Sequence, residues 1–383
     1  MAKTSYVPSP ARIKVIGCGG AGCNAITRMV REQIRGVEFI AMNTDAQALA
    51  VTEAPIRIQL GEKCTRGLGA GGDHRVGAKA AEENRDELVS VVNGADMVFV
   101  TAGMGGGSGT GSAPVVADIA KKSGALTIAV VTKPFNFEGV HRSQVADEGI
   151  ANLIEKVDTL IIVPNDRLFE LCDQKAGVDG AFKVADEILF HAVQAIAEVI
   201  TVPGIVNLDF ADIRSIMKDA GPAWMSIGHG QGANRAELAA REALNSPLLD
   251  TSIDGARGVL FNVTGGANLS LFEVNTASEV IRQAVDPEAN IIFGVCVDPN
   301  MANDVRLTLI ATGFATKEAL VGSSRDKEMN RVLTSIKSES ELEIPAFLRQ
   351  PHSIYGRQQT RPAMTPARPT TVRPGMRPNP YTR

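Results

Sequence analysis

Residues Gly103-Met-Gly-Gly-Gly-Ser-Gly-Thr-Gly111 carry the strongest structural signal in the chain, because nine residues contain six glycines and two hydroxyl side chains. The stretch lies between an apolar run at 96–101, typical of a buried strand, and a helical pattern at 114–122. Glycine inside a helix or strand costs up to about 1 kcal/mol relative to alanine, so this density has no obvious use in packing. Backbone amides, with the hydroxyls of Ser108 and Thr110, can cradle a di- or triphosphate. The stretch therefore predicts a nucleotide site.

The absence of lysine from this loop excludes the ordinary P-loop NTPases, whose Walker A motif needs Lys followed by Ser or Thr. A second loop, Gly17-Cys-Gly-Gly-Ala-Gly22, matches G-x-G-x-x-G after an apolar run at 12–16. This pattern fits a dinucleotide site with Asp45 as the ribose-binding acid, and it equally fits a tight packing turn between a strand and a helix. A NAD-binding domain does not explain the 103–111 loop. The residues alone nevertheless leave an NAD-dependent enzyme as the alternative class of protein.

Strand and helix patterns alternate through the first 165 residues, which predicts a parallel sheet covered on both faces. Strands are expected at 12–16, 37–42, 96–101, 126–132 and 160–163, and helices at 24–35, 78–92 and 114–122. A long helix follows, with Asp179 as its predicted cap, apolar residues on almost every side and an end at Pro203-Gly204. A second α/β unit at 205–315 is expected to have helices at 210–219 and 234–244 and strands near 257–263, 291–297 and 305–311.

Length and composition narrow the class of protein further. The 383 residues exceed what one hydrophobic core usually serves, so more than one domain is expected. No apolar run approaches the ~20 residues of a membrane span, and the first 12 residues have no signal-peptide pattern. Five cysteines without CxxC spacing favour reduced thiols. Residues 351–383 hold six arginines and no acid, which leaves a net charge of −10 for residues 1–350 out of the total of −4.

The motifs resemble those of the FtsZ branch of the tubulin/FtsZ family. Gly105-Gly-Gly-Ser-Gly-Thr-Gly111 is similar to the signature loop of that family. Gly20-Ala-Gly-Cys-Asn24, Asn43-Thr-Asp45 and Asn207-Leu-Asp-Phe-Ala-Asp212 fall where the family has its other nucleotide and catalytic loops. The resemblance runs from about residue 12 to residue 314.

This resemblance implies the α/β, tubulin/FtsZ-like fold, with a parallel-sheet, Rossmann-like GTP-binding domain at 12–174. A long central helix at 175–204 then leads to a second α/β domain, the GTPase-activating domain, at 205–316. The remaining segments are expected to be an N-terminal extension at 1–11, a linker at 317–340, a partner-docking peptide at 341–350 and a disordered basic tail at 351–383.

By the same resemblance, the protein binds GTP and GDP, with Mg²⁺ bridging the phosphates and few direct protein ligands to the metal. Glu138 would bond the ribose, Phe182 would stack on guanine, and Asp186 would accept hydrogen bonds from its N1 and amino group. A carboxylate that faces two donors selects guanine over adenine. Without the resemblance, Phe182 fits a core aromatic and Asp186 a solvated helix acid. The implied nucleotide-binding residues are Gly20, Ala21, Gly22, Cys23, Asn24, Asn43, Asp45, Gly71, Gly105, Gly106, Gly107, Ser108, Gly109, Thr110, Glu138, Arg142, Asn165, Phe182 and Asp186.

Asn207, Asp209 and Asp212 precede and enter a predicted helix, so their simplest interpretation is that Asp209 caps the helix and Asp212 is a first-turn acid. The resemblance implies that these residues are catalytic and orient water against the γ-phosphate. They would act in trans, with the loop of one subunit completing the site of the next. Such a head-to-tail interface gives open filaments.

The resemblance also implies a cytoplasmic protein that assembles under the membrane at the division site as the scaffold of the septal ring. Ile344-Pro-Ala-Phe-Leu-Arg349 resembles a docking peptide for membrane-tethering and regulatory division proteins. The arginine-rich tail has the charge to bind anionic lipid, nucleic acid or the acidic surface of neighbouring filaments, and a solubilising role stays open. A non-hydrolysing structural homologue is a further alternative.

Overall fold

The computed structural model describes residues 11–170, 178–201, 209–249, 253, 255–298, 301 and 303–314. All of these belong to one unit of the chain, Met1–Ser324. Asn207 and the predicted linker, docking peptide and tail lie outside the described residues. None of the described helices is long and apolar enough to span a membrane.

Six parallel strands form the first part of the sheet, in the order β3-β2-β1-β4-β5-β6. The strands are β1 (Ile13–Cys18), β2 (Val37–Asn43), β3 (Ile56–Gln59), β4 (Met97–Gly103), β5 (Leu126–Lys133) and β6 (Thr159–Pro164). The helices among them are α1 (Gly19–Arg31), α2 (Ala46–Ala50), α3 (Glu62–Thr65), α4 (His74–Glu83), α5 (Arg85–Val92), α6 (Ser108–Lys122) and α7 (Val140–Ile154). Strands β1 and β4 are buried along almost their whole length, which confirms the predicted parallel sheet with helices on both faces.

The second part begins with α8 (Val178–Thr201), a helix of 24 residues. It continues with α9 (Phe210–Met217), β7 (Gly221–Gln231), α10 (Arg235–Leu244), β8 (Gly258–Gly265), α11 (Leu271–Ala284), β9 (Asn290–Val297) and β10 (Asp304–Thr312). β7 pairs in parallel with β6 and antiparallel with β10, so the ten strands of the described residues form one sheet. Ile188, Val193 and Ile196 of α8 are buried in a core that also contains residues of β1 and β8, so the predicted burial of the long helix is confirmed.

The predicted helix at 78–92 is two helices, α4 and α5, which meet at Asn84. The Asn84 side chain accepts a hydrogen bond from the Gly61 nitrogen at 2.8 Å and donates one to Glu87. These bonds compete with the helical pattern, which explains the break. Asp179, the predicted cap of the long helix, is the second residue of α8.

Strand β7 was missed by the sequence patterns because it contains glycines that weaken a strand signal. A β-carbon on Gly228 would lie 2.0 Å from the Ala239 carbonyl oxygen, and one on Gly230 would lie 1.8 Å from that of Arg235. Helix α10 therefore packs directly on the β7 backbone, and this close approach requires the two glycines.

Candidate functional site

A cavity of about 260 Å³ opens beside the carboxyl ends of the parallel strands and is closed on one side by α8. Ligands of open α/β sheets bind at this edge. The loops after β1, β4, β5 and β6 all contribute to its wall. It is lined by Gly20, Ala21, Gly103, Met104, Gly106, Gly107, Ser108, Gly109, Thr132, Pro134, Glu138, Arg142, Asn165, Phe182, Ala185, Asp186 and Leu189.

The glycines of the two loops serve packing as well as ligand access, which corrects the expectation that the 103–111 loop has little use in packing. A β-carbon on Gly107 would lie 2.8 Å from the Ala70 β-carbon, and one on Gly111 would lie 2.1 Å from the His74 carbonyl oxygen. Gly20 and Gly106 differ, since no other atom lies within 4 Å of their β-carbon positions. These two positions leave space beside the cavity.

Two helix N-termini face the cavity without a side-chain cap. Helix α1 begins at Gly19 and α6 begins at Ser108; neither has an acidic residue in its first turn. The unpaired backbone N–H groups and the helix dipoles therefore favour an anion between them.

Three hydroxyl groups lie around these helix ends, and that of Ser108 belongs to the cavity wall. The Thr44 and Ser108 hydroxyl oxygens lie 2.5 Å apart, and Thr110 Oγ1 accepts a hydrogen bond from the Gly105 nitrogen at 2.9 Å. The first bond fixes the Ser108 side chain at the start of α6, and the second fixes the glycine loop. The arrangement offers the hydrogen-bond donors that a phosphate needs.

The other end of the cavity suits a planar base. Phe182 is 40% exposed and meets Phe135 edge to face at 5.4 Å between ring centroids, while Phe135 stacks on Phe137. Asn165 is only 5% exposed, and its Oδ1 is buried without a hydrogen-bond partner among the described residues. A buried acceptor without a partner costs about 1–3 kcal/mol, so a donor on a ligand would stabilise this wall.

Two acidic side chains line the cavity, and they differ in whether the carboxylate already has a hydrogen-bond partner. Burial raises the pKa of Asp186 to about 6, and the nearby Arg28 partly opposes that shift. Among the described residues no hydrogen bond reaches its carboxylate. Glu138 is engaged, since its Oε1 accepts a hydrogen bond from the Phe135 nitrogen at 2.9 Å and its Oε2 pairs with Arg142. Asp186 is therefore the acid that is free to meet a ligand.

The structure brings eleven of the predicted nucleotide-binding residues into the cavity wall: Gly20, Ala21, Gly106, Gly107, Ser108, Gly109, Glu138, Arg142, Asn165, Phe182 and Asp186. The others do not line it: Gly22, Cys23, Asn24, Asn43, Asp45, Gly71, Gly105 and Thr110.

Several of the residues outside the wall have local roles. The Cys23 thiol is buried, which raises its pKa to about 11, and it donates to the Met42 carbonyl. Asp45 accepts hydrogen bonds from the nitrogens of Gln47 and Ala48 and caps α2. The residues of the wall that the predictions omitted include Thr132 near the end of β5 and Pro134 directly after it, although this position points to the ligand-binding edge.

The candidate catalytic acids do not line the cavity. Asp209 caps α9, with its Oδ1 accepting a hydrogen bond from the Asp212 nitrogen at 2.8 Å, and both residues are exposed. Helix α9 ends at Met217, whose carbonyl accepts from the hydroxyl of Thr159, the first residue of β6. The cavity lies past the last residue of β6, so the end of α9 and the cavity lie at opposite edges of the sheet.

Comparison with known proteins accounts for this combination of sheet and cavity. The model of the Tubulin/FtsZ family GTPase domain matches residues 12–173, and that of the FtsZ family C-terminal domain matches residues 221–315. The structure of an empty FtsZ dimer from M. jannaschii is 47% identical, with a TM-score of 0.79; the match covers 82% of this chain and 91% of that one. A tryptophan-to-tyrosine mutant of FtsZ from M. jannaschii is 48% identical, with coverage of 80% and 92% and a TM-score of 0.78.

A more distant match extends the same architecture. GDP-bound CetZ1 from Haloferax volcanii is 22% identical, with coverage of 85% and 99% and a TM-score of 0.70, and this similarity shows the fold alone. Fold and site thus define a tubulin-like GTPase, which excludes the NAD-dependent enzyme that the glycine loops alone left open. Within that class, the chain belongs to the FtsZ family.

Proposed function

We propose that the protein hydrolyses GTP as a self-polymerising filament of the cell-division ring, with each nucleotide site completed by Asp209 and Asp212 of the next subunit. The observation that carries this proposal is that both acids are exposed and absent from the wall of the cavity in their own chain. A complete site therefore needs a second subunit.

The nucleotide is proposed to lie with its phosphates at the N-termini of α1 and α6 and its base against α8. Gly20 and Gly106 give the phosphates access to backbone amides. Phe182 stacks on guanine, and Asp186 accepts hydrogen bonds from its N1–H and amino groups. Glu138 has remaining lone pairs for the ribose, although its carboxylate also holds Arg142.

Mg²⁺ is proposed to enter with the nucleotide. Among the described residues, no three His, Cys, Asp or Glu side chains are grouped as a metal site. Ser108 lines the cavity, and its hydroxyl, with the hydroxyls of Thr44 and Thr110 behind it, fits a cation held mainly by phosphate oxygens and water. When bound, the cation neutralises part of the phosphate charge.

Hydrolysis is assigned to the two acids at the start of α9. The capping bond to the Asp212 nitrogen fixes the Asp209 carboxylate, whereas the exposed Asp212 side chain can receive a water molecule. At a subunit interface the two acids would orient that water against the γ-phosphate of the neighbouring nucleotide. Asn207 stays a predicted member of this group.

Exposed apolar side chains supply contacts for assembly. Phe137 and Val140 lie on the loop and helix that follow β5, next to Glu138 of the cavity wall, and Leu271 and Phe272 begin α11. The similar M. jannaschii FtsZ forms a dimer in its structure, which supports pairing of copies of this chain. A head-to-tail interface between different surfaces propagates as a filament.

The proposed cellular roles rest on membership of the FtsZ family and not on contacts among the described residues. The protein is proposed to assemble in the cytoplasm, under the membrane at the division site. The motif at 344–349 would dock membrane-tethering and regulatory division proteins, and the arginine-rich tail would bind anionic lipid or an acidic surface.

The proposed function is tested by incubating the protein with GTP, ATP or NAD while following light scattering and phosphate release. Scattering and release should occur with GTP, and turnover per subunit should rise above a threshold protein concentration. Turnover that is independent of concentration would indicate a complete site within one chain. Assembly without nucleotide and without phosphate release would identify a non-hydrolysing homologue.

A further inference from the structure

Arg28 connects α1, whose N-terminus faces the proposed phosphate site, with α8, which carries Phe182 and Asp186. Its Nη2 lies 3.4 Å from Oε1 of Glu187 on α8, directly after Asp186. Its Nε is buried and has no hydrogen-bond partner among the described residues. A buried guanidinium donor that is left unpaired is costly, so the position of Arg28 is not explained by the Glu187 contact alone.

The charge of Arg28 acts on Asp186 as well as on Glu187. Burial favours the neutral form of the Asp186 carboxyl, and the positive charge of Arg28 favours its ionised form. Glu187 has another partner on its own helix, because its Oε1 also lies 3.8 Å from His191 Nε2. Other charged or titratable groups near this end of α8, among the described residues, are the exposed Lys183 on α8, the Glu138–Arg142 pair across the cavity and His229 of β7, which with His191 favours the ionised form of Glu187.

We propose that Arg28 is a positioning residue for guanine recognition, whose charge beside α8 keeps the Asp186 carboxylate ionised as an acceptor for the base. This inference rests on the proposed function, which places guanine at Asp186. Guanine presents donors at N1 and at its amino group, so a protonated Asp186 would present a donor where an acceptor is needed. Arg28 thus contributes to base selection without contacting the base.

The competing interpretation is that Arg28 is only a link between α1 and α8. The two interpretations differ at Glu187. If the ion pair itself matters, removing either partner should have the same effect. If the charge of Arg28 acts on Asp186, then Glu187→Gln leaves that charge in place, and only loss of Arg28 should favour the neutral form of Asp186.

The test is calorimetric titration with GDP between pH 5.5 and pH 8 for the wild type, Arg28→Met, Arg28→Lys and Glu187→Gln. We expect Arg28→Met to move the midpoint of the affinity profile to higher pH and to weaken GDP binding at least about threefold near pH 6. Arg28→Lys keeps a positive charge and should restore most of the wild-type profile. Glu187→Gln should not move the midpoint upward.

Asp186→Asn is measured in the same series because the GDP phosphate titrates near pH 6 as well. Its profile reports the phosphate contribution, which is common to all variants. An unchanged midpoint in Arg28→Met, or the same upward movement in Glu187→Gln, would overturn the role of Arg28 while leaving the guanine site intact. Wild-type GDP affinity in Asp186→Asn would instead overturn the guanine site itself. Melting temperatures verify that each variant is folded.

Discussion

Gly19 and Gly109 bring the two glycine loops into backbone contact, since a β-carbon on Gly19 would lie 2.6 Å from the Gly109 nitrogen. Gly19 is the first residue of α1 and has a φ of +72°, and Gly109 is the second residue of α6. Their contact fixes the distance between the two helix N-termini that face the cavity. The geometry of the proposed phosphate site is therefore set by the packing of the fold.

Replacement of Gly19 by alanine should destabilise the protein because both the left-handed φ and the clash with Gly109 oppose a side chain. We expect a loss of about 2–4 kcal/mol in the free energy of unfolding, measured by denaturant titration. Gly106→Ala is the matched control, since its β-carbon position is open. That variant should keep its stability but bind GDP more weakly, and equal stability of the two variants would refute the packing role.

GDP affinity should depend on pH through Asp186. The pKa of Asp186 in the unliganded protein is raised to about 6, so the ionised acceptor is present above this pH and is lost as the pH falls through it. Affinity should therefore decrease below pH 6. Asp186→Asn should bind GDP about 10–100-fold more weakly at pH 7.5, as expected for loss of a hydrogen bond to a charged group. It should also discriminate less between GDP and ADP. Retained discrimination in calorimetric titrations would assign base selection elsewhere.

Helices and strands whose residues follow a clear hydrophobic pattern were predicted from the sequence. Features that depend on contacts between residues far apart in the chain were not. The apolar run of β4 and the apolar surface of α8 are local signals, so both were identified. The unsatisfied amide oxygen of Asn165 becomes apparent only when β6 is placed beside the cavity. Likewise, the bond between Thr44 and Ser108 joins residues 64 positions apart, and no periodicity indicates it.

The paired side chains of Arg235 and Glu273 should make stability depend on acid pH. Arg235 Nε donates to Glu273 Oε1 at 2.7 Å, with side chains 6% and 19% exposed, and the pKa of Glu273 is lowered to about 2. Because the pKa of Glu273 is lowered in the folded protein, its ionised carboxylate stabilises the fold at pH values above the ordinary pKa of glutamate. This stabilisation is lost as the pH falls towards 2. Glu273→Gln should cost about 2–4 kcal/mol at pH 7 and much less near pH 2.

The matched control for this pair is Glu279→Gln on the same helix, where the exposed carboxylate bonds only to Asn275 among the described residues. Its stability should follow the wild type from pH 7 to pH 2 in thermal melts. If Glu273→Gln behaved in the same way, the buried pair would not contribute to the acid dependence.

Leu271 should contribute to assembly without affecting nucleotide binding. It is 80% exposed at the first position of α11, where glutamate suits the helix dipole, so Leu271→Glu should fold. Burial of a leucine side chain is worth about 1.5–3 kcal/mol, so the threshold concentration for light scattering should rise roughly 10- to 100-fold. Leu238→Glu, at another exposed leucine, is the control. Equal thresholds for the two variants would exclude Leu271 from the interface.

The most direct test of the shared site is a mixing experiment that measures GTP turnover. Asp212→Ala subunits keep the cavity but lack the proposed catalytic acid, and Phe182→Ala/Asp186→Asn subunits keep Asp212 but lack the proposed base site. Each variant alone should release little phosphate. An equimolar mixture should release clearly more than the sum of the two, because Asp212 of one subunit completes the cavity of its neighbour. Turnover equal to that sum, or full activity of Asp212→Ala alone, would contradict catalysis between subunits.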